Sequence, residues 1–414
     1  MLEPTSATSS RVPTGGKQQV KDGRRLGGGS PYAGGMAADA TVLEVPGPDG
    51  VTRAVRISSP TRVLWPDAGI TKLDLATYLL AVGDRFLTLA GHRPVTLQRF
   101  PTGIEGEEFY SKNPPKGVPD SAASVTVTSP SGRQHPQLVI DEPATAVWAV
   151  QMTTNTFHPW PVTVSPAPGA LDNPDELRID LDPQPGRTFG EVVTAATTLR
   201  EVLTDAGLTA YPKTSGNRGI HVYSRIRPDH EFLDVRHGVI AIARELERRL
   251  PDLVTTAWWR EQRGDRIFVD FNQANRDRTI ASAYSPRPLP GAPVSMPCGW
   301  DDLAGVTPGD FTVKTVPDLV ASQADPWGDM ASTVGDLGPA LAWWERDVAD
   351  GLPELNFPPD YPKMPGEPPR VQPSKKRYED EDYEQSQGGY LRDNPEEPPG
   401  DGSRGDRRPR RTSG

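Results

Sequence analysis

The sequence predicts a mixed α/β domain with a tail at either end. Three observations predict it. One short run alternates apolar with polar residues, at 177–183, and another is apolar up to a carboxylate, at 267–270; longer runs carry apolar residues at helical spacing, as at 189–203 and 233–250; and the two patterns interleave from about 41 to about 355. With 414 residues, 40 Gly, 46 Pro and a hydrophobic share of 35%, the chain holds one large domain and unstructured segments rather than two full cores.

Residues 1–40 are Gly, Ser, Thr and basic residues without apolar periodicity, so a disordered tail is expected there. Within 41–355, Thr71 reads as an N-cap, and helical spacing runs on through Tyr78, Leu79 and Phe86. Lys72, in the first turn of that helix, opposes the helix dipole; it is either a solvated residue or the partner of an anion. Phe109-Tyr110-Ser111-Lys112 is an aromatic pair followed by a cation, and alternation along a strand would bury one ring of the pair. Leu177-Arg178-Ile179-Asp180-Leu181-Asp182-Pro183 reads as a strand, 189–203 as a helix, and 214–223 as a Gly-punctuated turn feeding a strand. The helix at 233–250 turns Val235, Val239, Ile242, Ala243, Leu246 and Leu250 to one face, a strand follows at 263–271, and 316–344 adds terminal helices. Residues 356–414, with Pro-rich blocks, an acidic stretch at 379–382 and a basic end, read as a solvated tail.

An extended segment throws alternate side chains to one face, so Asp180 and Asp182 point together while Ile179 and Leu181 enter a core. Two like charges that close call for a cation, and hard oxygen donors favour Mg²⁺ or Mn²⁺. Ser215, Arg218 and His221 in Ser-Gly-Asn-Arg-Gly-Ile-His supply a hydroxyl, a fixed cation and a titratable donor. Gly216 and Gly219 are expected to let backbone amides approach an anion. Asp270, ending the later strand, offers a third carboxylate or is an ordinary strand terminus.

These motifs, in this order and followed by Ala283-Tyr284-Ser285-Pro286-Arg287, resemble the polymerase domain of bacterial ligase D, of the archaeo-eukaryotic primase superfamily, from about 58 to about 327. The resemblance implies a central mixed sheet with flanking helices and a nucleotidyltransferase of non-homologous end joining that adds NTPs or dNTPs, ribonucleotides by preference, to a primer 3′-hydroxyl. Asp180, Asp182 and Asp270 become the ligands of two Mn²⁺ or Mg²⁺ ions. His158, Ser215, Arg218, His221, Arg263 and Arg287 become nucleotide contacts, with arginine at 218 where many relatives carry lysine. Phe109, Tyr110 and Lys112 fall where the family stacks on template DNA, Tyr110 replacing a more usual phenylalanine. Arg62 and Lys72 fall in its pocket for the 5′-phosphate of a gap or break. The implied partners are gapped or broken DNA, Ku and a separate ATP-dependent ligase.

The net charge of −10 assigns DNA binding to a localised basic surface. One cysteine, Cys298, excludes an intramolecular disulfide and a cysteine-rich zinc module. No apolar run is long enough to span a bilayer and no signal peptide is legible, so a cytoplasmic, nucleoid-associated protein is expected. Three rival readings remain open: an Asp-x-Asp glycosyltransferase, a primase that starts chains without a primer, and a non-catalytic end-binding protein.

Overall fold

The computed structural model describes residues 39–368. The expected tails at 1–38 and 369–414 lie outside the described residues. A hairpin of β1 (Ala40–Pro46) and β2 (Thr52–Ser58) leads to α1 (Lys72–Ala81), where Thr71 and Asp74 form the reciprocal capping box that the N-cap reading anticipates.

The first sheet is antiparallel. It contains β3 (Pro94–Arg99), β4 (Phe109–Ser111), β5 (Ser124–Thr128) and β6 (Gln134–Val139); after α2 (Pro143–Gln151), β7 (Thr154–Pro159) closes it along the other side of β3. The second sheet is built on β8 (Glu176–Pro183), followed by α3 (Phe189–Asp205), β9 (Tyr211–Thr214), β10 (Ile220–Ile226), α4 (Phe232–Arg249), β11 (Val254–Thr255) and β12 (Ile267–Asp270). Its order is β9-β10-β8-β12-β11, antiparallel except for β11 on β12; β13 (Val334–Gly335) adds a second parallel pairing on β10, ahead of α5 (Gly338–Ala349). The domain is therefore mixed α/β, as expected.

Leu177, Ile179 and Leu181 are fully buried on one face of β8, and Val235, Val239, Ile242, Ala243 and Leu246 are fully buried on α4. Leu250 caps α4 rather than extending its apolar face. The two sheets meet over a buried ion network. Arg93 pairs with Asp175 at 2.6 Å and Glu176 at 2.7 Å, and Arg178 pairs with Glu176 at 2.7 Å while donating to the carbonyl of Trp160. Removing one partner from so buried a network costs about 3–5 kcal/mol, because the other charge is left without compensation.

The packed chain runs past the predicted boundary at 355. Arg236, fully buried on α4, donates to Glu354 at 2.6 Å, to the Leu355 and Asn356 carbonyls and to Asn272, and Phe357 packs 3.7 Å from its guanidinium. The Pro-rich composition concealed a segment whose carbonyls satisfy an arginine distant in sequence. The helices expected over 316–344 are two separate ones, Val316–Ser322 and α5.

Candidate active site

The register of the second sheet sets one row of side chains across four strands. Lys213 on β9 lies opposite His221 on β10, His221 opposite Asp180 on β8, and Asp180 opposite Asp270 on β12. Directly paired residues point to the same face, so the row is a consequence of pairing alone. Asp182, two residues beyond Asp180, joins that face, and Asp180, Asp182 and Asp270 line one pocket with His158, Ser215, Arg218, His221, Arg287 and Tyr110.

The carboxylates strain against one another. Burial first, then the charges of Asp182 and Asp270, push Asp180 well above the usual carboxylate range, against the pull of Lys213 and Arg287. Burial also raises Asp270, partly offset by bonds from Gln273 and Asn272 and by the charges of Arg263 and Arg278. An excess of buried negative charge on oxygen-only donors fits a hard divalent cation. The ring is not drawn tight: among the described residues no three such side chains are gathered closely enough to hold an ion. Asp270 caps the 3₁₀ turn after it, accepting from the Asn272 amide at 2.9 Å and from Gln273 Nε2 at 3.0 Å. Each of its oxygens still has a second lone pair for a cation.

Burial, then Lys213 and Arg287, hold His221 well below the ordinary imidazole range, and its Nε2 lies 3.5 Å from Asp180 Oδ1. Burial and Arg287 bring His158 down to about 3; its Nε2 lies 3.1 Å from Gln98, and its ring lies 5.7 Å from that of Tyr110. Lys213 was not anticipated. A lysine two residues before Ser215, in the segment that leads into the Gly-punctuated turn, was the available signal. Burial and Arg287 push its ammonium well down while Asp180 pulls it up.

The Gly-punctuated turn works differently from expectation. Ser215 Oγ accepts from the Asn217 amide at 3.2 Å and the Gly219 amide at 3.1 Å, so these amides build the turn. A Cβ on Gly216, at φ +73°, would lie 2.6 Å from Arg287 Cγ, and one on Gly219 would lie 2.5 Å from the Leu181 carbonyl oxygen. The glycines let Arg287 and β8 come close; Arg287 then donates to the Ser215 carbonyl at 2.9 Å.

Adjacent residues of β4 separate, as strand alternation requires. Phe109 is 43% exposed, whereas Tyr110 enters the carboxylate pocket. Tyr110 also borders an open groove of about 580 Å³ with Lys112, Arg133 and His135, where Lys112 pairs with Asp277 at 2.9 Å. Arg263 does not line the pocket. Its guanidinium stacks 3.6 Å from the Phe268 ring, donates to the Ala257 and Trp258 carbonyls, and acts on Asp270 as a charge. Arg62 and Lys72 also lie outside it: Arg62 donates to the Pro101 carbonyl, and buried Lys72 to the Ser58 carbonyl at 3.1 Å. Burial and then Arg62 bring Lys72 down to about 8.

A carboxylate row at the centre of a mixed sheet, faced by basic and aromatic side chains from a second sheet, defines a primase-polymerase type of domain. The chain belongs to the LigD primase-polymerase domain family, whose model matches residues 71–327. It is 31% identical over 324 residues to the multifunctional non-homologous end joining protein LigD of Pseudomonas aeruginosa, covering 77% of this chain and 37% of that protein. It is 30% identical over 278 residues to the bifunctional non-homologous end joining protein LigD of Bacillus subtilis, covering 66% and 44%. The chain thus spans less than half the length of either relative. Among solved structures it is similar to the polymerase domain from Mycobacterium tuberculosis ligase D in complex with DNA, with a TM-score of 0.61 and 27% identity, over 67% of this chain and 97% of that one. Family membership overturns the glycosyltransferase reading of Asp180-Leu181-Asp182.

Proposed function

We propose that this chain is a nucleotidyltransferase that extends a primer 3′-hydroxyl at gaps or broken ends of DNA, with a preference for ribonucleotides, in non-homologous end joining. The observation that carries the reading is the convergence of Asp180, Asp182 and Asp270 with His221 and Arg287 in one pocket. Divalent cations, Mg²⁺ or Mn²⁺, held by the three aspartates would activate the attacking hydroxyl and offset charge on the leaving pyrophosphate. Arg287 and Arg218 supply positive charge toward a triphosphate, and His221 a ring nitrogen beside it, so the rate gain comes from orientation and electrostatics. Exposed Phe109 offers a base-stacking face that tolerates any sequence. The like-charged pair Arg62 and Lys72 is eased by an anion, which supports a 5′-phosphate site.

A solved relative in complex with DNA supports DNA as the partner. Ku and an ATP-dependent ligase are proposed as further partners from the end-joining names of the relatives. A repair polymerase of this kind works at the nucleoid in the cytoplasm. Among the described residues no helix is long and apolar enough to cross a membrane.

Primer extension on gapped DNA tests the reading. Asp180→Ala with Asp182→Ala is expected to abolish nucleotide addition and leave binding to the gapped duplex; normal extension by that variant overturns it. The same substrate offered with rNTPs or dNTPs decides the sugar preference, and a strong dNTP preference refutes that part.

A further inference from the structure

Residues 352–368 lie beyond the stretch 71–327 that the family model matches, and they form neither helix nor strand. They are nonetheless packed into the domain. Phe357 and Glu367 are buried, and Glu367 closes the segment on itself by accepting from the Phe357 amide at 3.3 Å and the Met364 amide at 3.1 Å. The closed strap is fastened to both ends of 272–278, the chain that follows Asp270. At one end the Asn356 carbonyl accepts from Asn272 Nδ2 at 3.1 Å; at the other, Tyr361 donates to the Arg276 carbonyl at 3.0 Å and Asp360 pairs with Arg278.

Asn272 joins the strap to the carboxylate. Its side chain is buried, and while Nδ2 donates to Asn356, Oδ1 accepts from Arg236 Nε at 3.3 Å and from Asn275 Nδ2 at 2.6 Å. A guanidinium only donates and a carbonyl only accepts, so this amide sits one way round whatever the ionisation of its neighbours. The backbone amide of Asn272 donates to Asp270 Oδ1 at 2.9 Å, and Gln273 donates to Oδ2 at 3.0 Å. Both bonds come from the 3₁₀ turn Phe271–Ala274 and not from the sheet. A single 3₁₀ turn has poor hydrogen-bond geometry of its own, so what packs against it decides how firmly it stands. Here that is Arg236 and the strap, and the strap holds Arg236 as well, through Glu354 and the Leu355 and Asn356 carbonyls.

We propose that Asn272 is a positioning residue for the carboxylate of Asp270, and that the strap 352–368 belongs to the active centre because it holds Asn272 in place. This rests on the reading of Asp270 as a ligand of Mg²⁺ or Mn²⁺. A carboxylate already oriented by its neighbours binds a cation more tightly than one free to rotate, since less freedom is lost on binding. The coupling is reciprocal: if an ordered strap strengthens cation binding, a bound cation orders the strap.

Hydrogen exchange of the full wild-type chain, followed by mass spectrometry with and without Mn²⁺, tests the proposal without any substitution. Mn²⁺ is expected to slow exchange in 352–368 as well as in 270–278. Slowing confined to 270–278 overturns the proposal. Asn272→Ala, titrated with Mn²⁺ by electron paramagnetic resonance, is expected to bind the ion roughly 10–100-fold more weakly, the range typical of losing a group that orients a metal ligand. Leu79→Ala is the control: Leu79 is buried on α1, outside the second sheet, so this variant should melt lower yet bind Mn²⁺ like the wild type. Unchanged affinity in Asn272→Ala overturns the proposal, and so does an equal loss in Leu79→Ala, which would trace the effect to stability alone. If the wild type binds no Mn²⁺, the metal reading of Asp180, Asp182 and Asp270 falls together with the proposal; if it binds the ion and the strap does not respond, the proposal falls alone.

Discussion

Replacing Asp180 with asparagine is expected to destroy activity and make the protein more stable. Asp180 faces Asp270 directly across the sheet and shares its face with Asp182, and its side chain is only 22% exposed. Cross-strand Cβ atoms stand about 5 Å apart. At an effective dielectric of about 20, two carboxylates at roughly 6 Å repel by about 3 kcal/mol. The attraction of Lys213 and Arg287 offsets part of the two such repulsions. A net gain of about 1–3 kcal/mol for Asp180→Asn remains, or a Tm rise of roughly 2–6 °C for a domain of this size. Scanning calorimetry in a chelator measures it. Added Mn²⁺ should raise the Tm of the wild type by linkage and leave the variant nearly unmoved. If Asp180→Asn melts below the wild type in chelator, or gains as much from Mn²⁺, the like-charge argument is wrong.

Phe109→Ala is expected to weaken binding to single-stranded overhangs by about 1–3 kcal/mol with little change in Tm, since that ring is exposed. Tyr110→Ala should instead raise the KM for NTP, and equal effects of the two on overhang binding would contradict their separation across β4. Lys72, brought down to about 8, makes the folded chain bind fewer protons than the unfolded chain between there and the ordinary 10.5, so its contribution to stability grows as pH rises through that window. Affinity for a 5′-phosphate moves the other way. Stimulation of gap filling by a 5′-phosphate should therefore fade between about pH 7 and about pH 9, and be absent in Lys72→Ala; a flat profile argues against Lys72 as its cation. For Glu354, burial pushes the carboxyl up, but bonds from His237 and Arg236 outweigh it and bring the group down to about 2. Its stabilising contribution is whole above the ordinary 4.5 and disappears as pH falls through about 2. Glu354→Gln should lower stability by about 1–3 kcal/mol at neutral pH and match the wild type near the acid limit, as followed by thermal melts across pH.

What could be read before any coordinates was whatever depends on local periodicity. Alternation put Asp180 and Asp182 on one face, Thr71 announced a capped helix, and the 3.6-residue spacing of Val235, Val239, Ile242 and Leu246 marked the buried side of α4. The residues needed for a metal and a triphosphate were legible as residue types in order. Long-range pairing decided the rest. Nothing local says that Lys213 and His221 share a row with Asp180 and Asp270, because that follows from the register of β8 with β10 and β12, strands dozens of residues apart in the chain. Gly216 and Gly219 looked like an anion cradle until Arg287 and Leu181 were seen to occupy the space. Arg263 looked like a nucleotide contact until the carbonyls of Ala257 and Trp258 claimed its guanidinium. The chain alone determined which chemical groups are available and which side of each element they leave from; the fold decided which of them meet, because burial favours the pairing of polar atoms and only the packed structure says which partner is within reach.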